Sequence, residues 1–425
     1  MKKHLAVLLV LLMVFTSLAG CSSAAKSKNE KTTLSFMVVG TEADPYIDGF
    51  KTIVDRFNQE NEYNVTIEMT AYENEQHKTK LTTLMAADAA PDIFYTYELA
   101  FLKPFVDANK VADITSYFDA DPEWKNSFMG GTLDVLSYDG KNYGVPTESV
   151  IGVMFYNKEI FEKYGLTIPN TYDEFLTICE TLKSNDIIPM TLACSDAWIP
   201  AQFVQQLSAG IGGGQFFFDV CDGKANWNDP INVKAAEEML KMAQAGYFQE
   251  GYLGTSPEES VALYTSGKAA MYFQGTWDTG LLLDSEVGPV TGAFVMPAFD
   301  SQYSNFSLGS VDGSFAISSK CQNKDAAVAL LKFWSSPEIQ EYLLYNYSKA
   351  PSTNISVDES KLSSLMLDVV NCSSVQRGLM PWWDRQFGAG EGVEFNNTCV
   401  AILGGEDALT AFTSLQQFAE DNQNR

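Results

Sequence analysis

The alternation of apolar and polar positions divides the first part of the chain into strands and helices. An apolar run at 33–39, an alternating segment at 65–69 and a short stretch at 92–95 are typical of strands. Between them, apolar residues recur at the three- and four-residue spacing of a helix face, at Ile47, Phe50, Val54 and Phe57 and again at Leu81, Leu84 and Met85. The order strand, helix, strand, helix, strand predicts a mostly parallel sheet covered by helices.

The same pattern recurs further along the chain. Strands are predicted at 150–156 and 187–192, and Thr171 and Glu174 have the spacing of a helix capping box. Capping residues or glycine turns open the helices predicted here, at Thr171, Asp229, Ser336 and Gly405. About 400 residues exceed what one hydrophobic core usually serves, so the sequence predicts two α/β lobes.

The first 31 residues carry export signals. Two lysines precede an apolar run at 5–15, which is the length of a signal-peptide core and too short to span a bilayer. Small residues then lead to Cys21, in a pattern that resembles the bacterial lipobox, where the cysteine becomes lipidated. We expect residues 1–20 to be a signal peptide and 21–31 a lipidated cysteine with a flexible tether. The alternative is an ordinary signal peptide followed by a chance cysteine.

Charge and residue usage exclude several classes of function. The formal charge of −26, from 28 basic and 54 acidic residues, argues against nucleic acid, since phosphate contacts need Lys and Arg. His77 is the only histidine beyond the signal peptide, and its charged neighbours predict an exposed helix face. A catalytic histidine triad or a histidine-ligated metal is therefore not expected. We predict neither a metal site nor a cofactor.

Six cysteines remain beyond Cys21, and none is spaced as C-x-x-C, so a zinc site is not expected. Exported proteins form disulfides, but buried free cysteines also serve as small apolar residues. Both readings remain open for these six positions, which are Cys179, Cys194, Cys221, Cys321, Cys372 and Cys399.

Several segments together resemble one protein family. Pro91-Asp92-Ile93-Phe94 follows a helix, and 140–146 leads to the segment Tyr156-Asn157-Lys158 and on to Gly165. Ser266-Gly267-Lys268 runs into Gly275-Thr276-Trp277, and Phe333-Trp334 precedes Ser335-Ser336-Pro337-Glu338. In this order and spacing they resemble family 1 extracellular solute-binding proteins, the group similar to maltose-binding protein, over nearly all of the mature chain.

The resemblance implies a type II periplasmic-binding-protein-like fold. Each lobe would hold a mostly parallel sheet flanked by helices, with a hinged cleft between the lobes. The implied crossings lie near 144–148, 309–312 and 349–353. The lobes would then comprise 32–146 plus 312–350 and 147–311 plus 351–425.

The resemblance also implies a function and a cellular location. The protein would be a monomeric lipoprotein on the outer face of the cytoplasmic membrane, without enzymatic activity. It would bind a mono- or oligosaccharide and deliver it to the permease subunits of an ABC transporter. Two alternatives stay open, namely a binding protein for a polyamine or other cationic solute, and a surface glycosidase that uses two carboxylates.

A sugar site needs flat aromatic rings for the C–H faces and fixed acceptors for the hydroxyls. Trp277 is the strongest candidate, because it follows a strand and the family stacks a sugar on this tryptophan. For two candidates an alternative stays open, since Asp278 could cap a helix and Arg385 could form a surface ion pair. Of the adjacent Trp382 and Trp383, one is expected to pack inward and the other to face the cleft. The predicted ligand-binding residues are Glu42, Tyr95, Tyr97, Glu98, Glu148, Trp198, Trp277, Asp278, Asp312, Trp382, Trp383 and Arg385.

Overall fold

The computed structural model describes residues 31–423, so the predicted signal peptide, Cys21 and most of the tether lie outside the described residues. Within this range there are thirteen strands. In chain order, β1 to β13 are Thr32–Val39, Val65–Tyr72, Ile93–Thr96, Ser137–Tyr138, Lys141–Asn142, Gly144–Pro146, Ser149–Asn157, Ile188–Thr191, Ala269–Gly275, Thr291–Phe294, Phe306–Val311, Ser314–Ile317 and Gly378–Met380.

Eighteen α-helices accompany them in the described range. The first nine, α1 to α9, are Tyr46–Glu60, Asn74–Ala86, Lys103–Asp107, Thr115–Ala120, Pro122–Ser127, Lys158–Lys163, Tyr172–Lys183, Trp198–Gly212 and Gly214–Cys221. The others, α10 to α18, are Pro230–Gln244, Pro257–Thr265, Thr279–Leu283, Lys324–Trp334, Pro337–Tyr347, Ser364–Ser374, Trp383–Phe387, Glu391–Leu403 and Ala408–Gln423. None of the helices in 31–423 combines the length and apolar character needed to cross a membrane.

Two of the predicted helix starts, at Thr171 and Asp229, have side-chain capping bonds, whereas Ser336 precedes α14 without one. The Asp229 carboxylate accepts a hydrogen bond from Ile231 N at 2.9 Å, and Gly246 has a φ of +74° just past the end of α10. At α7 the Thr171 hydroxyl accepts from Glu174 N at 3.2 Å. The Glu174 carboxylate reaches Asn170 N at 2.7 Å, one residue before the capping-box position.

The first sheet has the strand order β2-β1-β3-β12-β6. β1 pairs in parallel with β2 and β3, whereas β12 is antiparallel to β3 and β6. The expected two lobes are present, but this sheet is mixed where we predicted it to be mostly parallel. The reason is that β12 begins directly after the chain re-enters the lobe from the hinge, so it runs away from the hinge while β1 and β3 run toward it.

The second sheet has the order β13-β11-β7-β9-β8, with β10 also paired to β7. Its β8–β9 and β11–β13 pairs are parallel, and its three pairs with β7 are antiparallel. β7 starts at the hinge, so its neighbours β9 and β11 run toward the hinge. The two-lobe α/β fold is as predicted, but this second sheet has more antiparallel than parallel pairs, where we predicted it to be mostly parallel, for the same topological reason.

The apolar core divides in the same way as the sheets. One cluster joins β1, β3 and β12 to α1, α13 and α14, with Trp334 and Phe36 among its largest buried side chains. Another joins β9 to α7, α8, α10 and the last two helices, around Trp383 and Phe412. Each lobe thus takes strands or helices from two separate parts of the chain. The lobe boundaries given above stay a prediction.

Three chain segments pass between the lobes, and they are hydrogen-bonded to one another. Asp312 N donates to Glu148 O at 3.0 Å, Thr147 N donates to Gly313 O at 3.0 Å, and Ser149 N donates to Ala350 O at 3.3 Å. Gly313 has a φ of +146°, and a Cβ there would overlap the Tyr95 ring. This crossing therefore requires glycine.

The six cysteines in the described range are all unpaired, which decides between the two readings left open above. Cys221 is half-buried and the others are buried. Burial raises the pKa of each thiol; for Cys194 it rises to about 12. These side chains serve as small apolar residues in the core.

The prediction of an exposed His77 is wrong. Its side chain is 0% exposed, and Nε2 lies 2.8 Å from the Tyr95 carbonyl oxygen. His77 shares one face of α2 with Leu81 and Met85, at four-residue spacing, and all three side chains are buried. The polar neighbours Glu75, Gln76 and Lys78 occupy the other faces. Burial lowers the pKa of His77 to about 4.

This lowered pKa predicts a stability contribution that depends on pH. Neutral His77 is compatible with the fold, so the contribution is complete above the unfolded-state pKa of 6.5 and is lost as pH falls toward about 4. Between pH 7.5 and 4.5, the free energy of unfolding should fall by roughly 2–3 kcal/mol less in His77→Gln than in the wild type. Urea unfolding at both pH values measures this difference, and parallel losses in the two proteins would contradict it.

Candidate functional site

A cavity of about 250 Å³ lies between the lobes, at the carboxyl ends of strands from both sheets. β1, β2 and β3 of the first lobe end there, as do β8, β9, β11 and β13 of the second. Loops after such strand ends are where α/β proteins place their ligands. We call this cavity the cleft.

Three tryptophans from different elements meet in the cleft. The Trp277 ring lies 5.4 Å from Trp382 and 6.0 Å from Trp198, measured between ring centroids. Trp382 is held from behind, since its Nε1 donates to Gln202 Oε1 at 3.2 Å. Gln202 Nε2 in turn donates to Gln274 Oε1 at 2.6 Å. The rings therefore form an aromatic platform whose orientation is set by buried amides.

Two tyrosines form the facing wall on the first lobe. Tyr95 lies within β3 and Tyr97 directly follows it, and their ring centroids are 5.3 Å apart in an edge-to-face arrangement. The Tyr95 hydroxyl donates to the Asp312 carbonyl oxygen, and the Tyr97 hydroxyl donates to Asn74 Oδ1. Both rings are therefore fixed in place by hydrogen bonds.

Asp278 is a half-buried carboxylate beside the platform. It stands at the start of α12 but makes no capping bond, and it accepts a hydrogen bond from the Tyr272 hydroxyl at 2.7 Å. Burial raises the pKa of Asp278 to about 6, against the opposing effect of the Tyr272 bond. The alternative role as a helix cap is therefore excluded, and the group offers a strong acceptor to a ligand.

The hinge adds a cluster of charges at the floor of the cleft. Lys349 Nζ lies 2.7 Å from Glu148 Oε1 and 4.1 Å from the Tyr46 ring centroid. Asp312 lies close by, and burial together with the Glu148 charge raises its pKa. Asp312, Glu148 and Lys349 come from three different crossings, so this cluster connects all three.

Arg385 and Glu98 form a second ionic contact between the lobes. Arg385 Nη1 lies 3.6 Å from Glu98 Oε2, and the guanidinium lies 3.4 Å from the Tyr97 ring centroid. The Arg385 side chain is only 15% exposed, so the alternative of a surface ion pair is wrong.

Comparison with known proteins agrees with this arrangement. The family described as bacterial extracellular solute-binding protein matches residues 43–341, which is more than half of the chain. This chain belongs to that family. The resemblance drawn from the sequence is thereby confirmed, and the family places the protein outside the cytoplasm.

Individual relatives cover much of this solute-binding protein. The multiple sugar-binding protein of Streptococcus mutans is 23% identical over 359 residues, which is 82% of each chain. The arabinooligosaccharide-binding protein of Bacillus subtilis is 26% identical over 302 residues, covering 67% of this chain and 65% of that one.

A solved structure supports the two-lobe fold. It comes from a study of xylan utilization by the thermophilic bacterium Caldanaerobius polysaccharolyticus and is 28% identical to this chain. It matches with a TM-score of 0.85 over 91% of this chain and 99% of the other.

Eight of the twelve predicted residues line the cleft of this solute-binding protein: Tyr95, Tyr97, Trp198, Trp277, Asp278, Asp312, Trp382 and Arg385. Glu42 does not, because its side chain points to solvent, is 87% exposed and pairs with Lys51 at 3.1 Å. Trp383 packs inward and stacks on Phe217 in the core of the second lobe. Glu98 and Glu148 lie behind the cleft wall. Glu98 is beside Arg385 and Glu148 is beside Lys349, and both of these cations line the cleft.

Sequence reasoning missed several polar side chains in the cleft. They are Thr41, Asp44, Glu73, Asn74, Lys78, Asp196, Glu258, Tyr272, Gln274, Lys349 and Asp384. Glu73 and Asn74 directly follow β2, so the rule that loops after strands carry the site could have found them. Lys349 and Glu148 are 201 residues apart, and a single sequence gives no sign that they pair.

The raised pKa of Asp278 predicts a stability penalty at neutral pH. Since the folded-state value of about 6 exceeds the ordinary 3.8, ionisation opposes folding above pH 6, and the penalty disappears as pH falls below 4. When pH rises from 4 to 8, the free energy of unfolding of Asp278→Asn should increase relative to that of the wild type by up to about 3 kcal/mol. Guanidinium unfolding tests this, and a difference that does not change with pH would refute it.

Proposed function

We propose that this protein binds a sugar in the cleft and delivers it to an ABC transporter. The observation that carries the proposal is the platform of Trp198, Trp277 and Trp382 beside the half-buried acceptor Asp278. Aromatic faces suit the C–H surfaces of a sugar, and a partly desolvated carboxylate suits its hydroxyls. The sugar-binding relatives support the same assignment.

The charge pattern of the cleft favours a ligand that donates hydrogen bonds. Each of the three cations in its wall has an acidic partner: Lys78 lies 2.7 Å from Glu75, Lys349 lies 2.7 Å from Glu148, and Arg385 lies beside Glu98. By contrast, seven carboxylates line the cleft, at Asp44, Glu73, Asp196, Glu258, Asp278, Asp312 and Asp384. Hydroxyl groups can donate to such acceptors, whereas an anionic ligand would meet uncompensated negative charge.

Capture needs no chemical step. A sugar held between the lobes stabilises a closed state relative to an open one, and the permease would recognise the closed state. We assign ligand contact to the eight predicted residues that line the cleft. Glu148 would act from behind, by holding Lys349 at the hinge.

The proposal includes attachment to the membrane through Cys21. The apolar run and the small residues before this cysteine support it, and the tether at 21–31 would let the lobes reach the permease. The protein would then act as a monomer on the outer face of the cytoplasmic membrane.

The platform can be tested by truncating its central ring. We expect Trp277→Ala to weaken sugar binding by tenfold or more, because it removes the stacking surface, and Trp277→Phe to lose less. Isothermal titration with a panel of neutral mono- and oligosaccharides measures the affinity. Tyr63→Ala removes an exposed aromatic side chain from the first lobe and serves as the matched control.

The same titrations separate the alternatives. Wild-type affinity in Trp277→Ala for every sugar would remove this residue from the site. Binding of polyamines in place of sugars would favour a cationic solute. The sugar recovered after denaturing the complex should be unchanged, whereas cleaved sugar would point to a glycosidase.

The membrane anchor is tested separately. Cys21→Ala should move the protein from the detergent phase to the aqueous phase in a temperature-induced detergent partition of whole cells, since it removes the acylated thiol. Cys221→Ala, which keeps Cys21, should stay in the detergent phase. A wild-type protein found in the aqueous phase would exclude lipidation at this position.

A further inference from the structure

A loop of the first lobe touches the second lobe beside the cleft. This loop, 97–101, follows β3, and it meets the segment 384–388, which comprises most of α16 and the glycine that ends it. Ala100 N donates to the Arg385 carbonyl oxygen at 3.0 Å. Gly388 has a φ of +68°, and a Cβ there would lie 3.0 Å from the Ala100 carbonyl oxygen. The two backbones are therefore in close contact across the lobe boundary.

The loop is held rigidly on its own lobe. Leu99 has a φ of +55°, a left-handed conformation that a leucine rarely adopts. Two hydrogen bonds maintain it, since Leu99 N donates to Val135 O at 3.1 Å and the Tyr138 hydroxyl donates to Leu99 O at 2.7 Å. The strained residue places Glu98 and Ala100, on either side of it, against the second lobe.

Glu98 is an unusual carboxylate. It is 0% exposed, and neither of its oxygens makes a hydrogen bond of regular geometry within residues 31–423. The Ser310 side chain, in β11 of the second lobe, is its other polar neighbour and, like Arg385, favours the charged form. Arg385 Nη1, the cationic atom 3.6 Å away, also lacks an acceptor there. Burial raises the pKa of Glu98, and the Arg385 charge opposes that rise. Buried charges are normally hydrogen-bonded to a partner, and the 3.6 Å between Arg385 Nη1 and Glu98 Oε2 is slightly too long for a hydrogen bond.

The two residues differ in their access to a ligand. Arg385 lines the cleft, while Glu98 does not and lies behind it. The Arg385 guanidinium packs on the Tyr97 ring, which also lines the cleft. Glu98 can therefore act on a ligand only through Arg385.

We propose that Glu98 is a positioning residue. When the cleft closes on a sugar, Glu98 forms a hydrogen-bonded ion pair with Arg385 that links the two lobes, and we call this ion pair the tie. Glu98 itself makes no contact with the sugar. This inference rests on the proposed function. Closing by a few tenths of an ångström would bring Arg385 Nη1 within hydrogen-bond distance of Glu98. Because the partners belong to different lobes, opening the cleft separates them, so the tie favours only the closed state.

The tie makes a distinctive prediction for sugar binding. Glu98→Gln should weaken affinity about tenfold, by a similar factor for every sugar that the wild type binds, since closure is common to all of them. A direct contact with one hydroxyl would instead affect only the sugars that carry it. The unfolding midpoint without sugar should not fall, because the variant removes an incompletely paired buried charge.

The experiment is a double-mutant cycle on sugar affinity, with Glu98→Gln, Arg385→Met and the double variant. We expect the double variant to bind no more weakly than Arg385→Met alone, because Glu98 acts through Arg385. Small-angle scattering should show a less compact sugar-bound state for Glu98→Gln than for the wild type. Glu62→Gln, at an exposed position of the same lobe, is the matched control.

The outcomes separate the two proposals. Wild-type protein that binds no sugar would refute the proposed function and the tie with it. If the wild type binds, three results would each overturn the tie alone: effects that add in the double variant, a loss confined to particular sugars, or wild-type compaction in Glu98→Gln.

Discussion

Three hydrogen-bonded crossings between the lobes are the constraint on which the rest of the structure depends. They fix the direction of every strand next to them, since a strand that leaves the hinge runs opposite to one that approaches it. For this reason both sheets are mixed, and strands from both lobes end at the same cleft. Gly313, the hydrogen bond from Asp312 N to Glu148 O and the Lys349–Glu148 ion pair then connect the three crossings. A cleft that opens and closes needs such a shared axis.

Charge burial is concentrated where the lobes meet. Asp278, Asp312 and Glu98 all have raised pKa values, and burial is the first cause in each case. Such groups cost stability in the free protein, and a core built only for stability would hold apolar residues of similar size. Their cost is reasonable if a ligand or a closure step supplies the missing partners. The cleft thus combines rigid aromatic rings, fixed by buried amides, with carboxylates that are incompletely paired.

Much of the fold could be predicted from the sequence, because apolar periodicity and capping residues report local structure directly. The strand before Trp277 and the helix after Asp229 are examples. The direction of β12 could not be predicted, since it depends on how the chain re-enters a lobe. His77 was misplaced because charged neighbours suggested a solvated face, while its four-residue spacing from Leu81 and Met85 placed it inside. Within the site, strand ends indicated the right loops but not which side chain of each loop faces inward, as Glu42 and Trp383 illustrate.

Glu98 shows how a residue can matter to a site that it does not touch. Sequence alone suggested an acceptor for sugar hydroxyls, because the loop after β3 carries adjacent tyrosine and glutamate side chains. The structure instead puts Tyr97 and Arg385 between this carboxylate and the cleft. The strained backbone at Leu99 is understandable on this basis, since a relaxed loop would not hold a buried charge against another lobe. Affinity in such a protein depends on contacts with the sugar and also on contacts that form between the lobes only when they close.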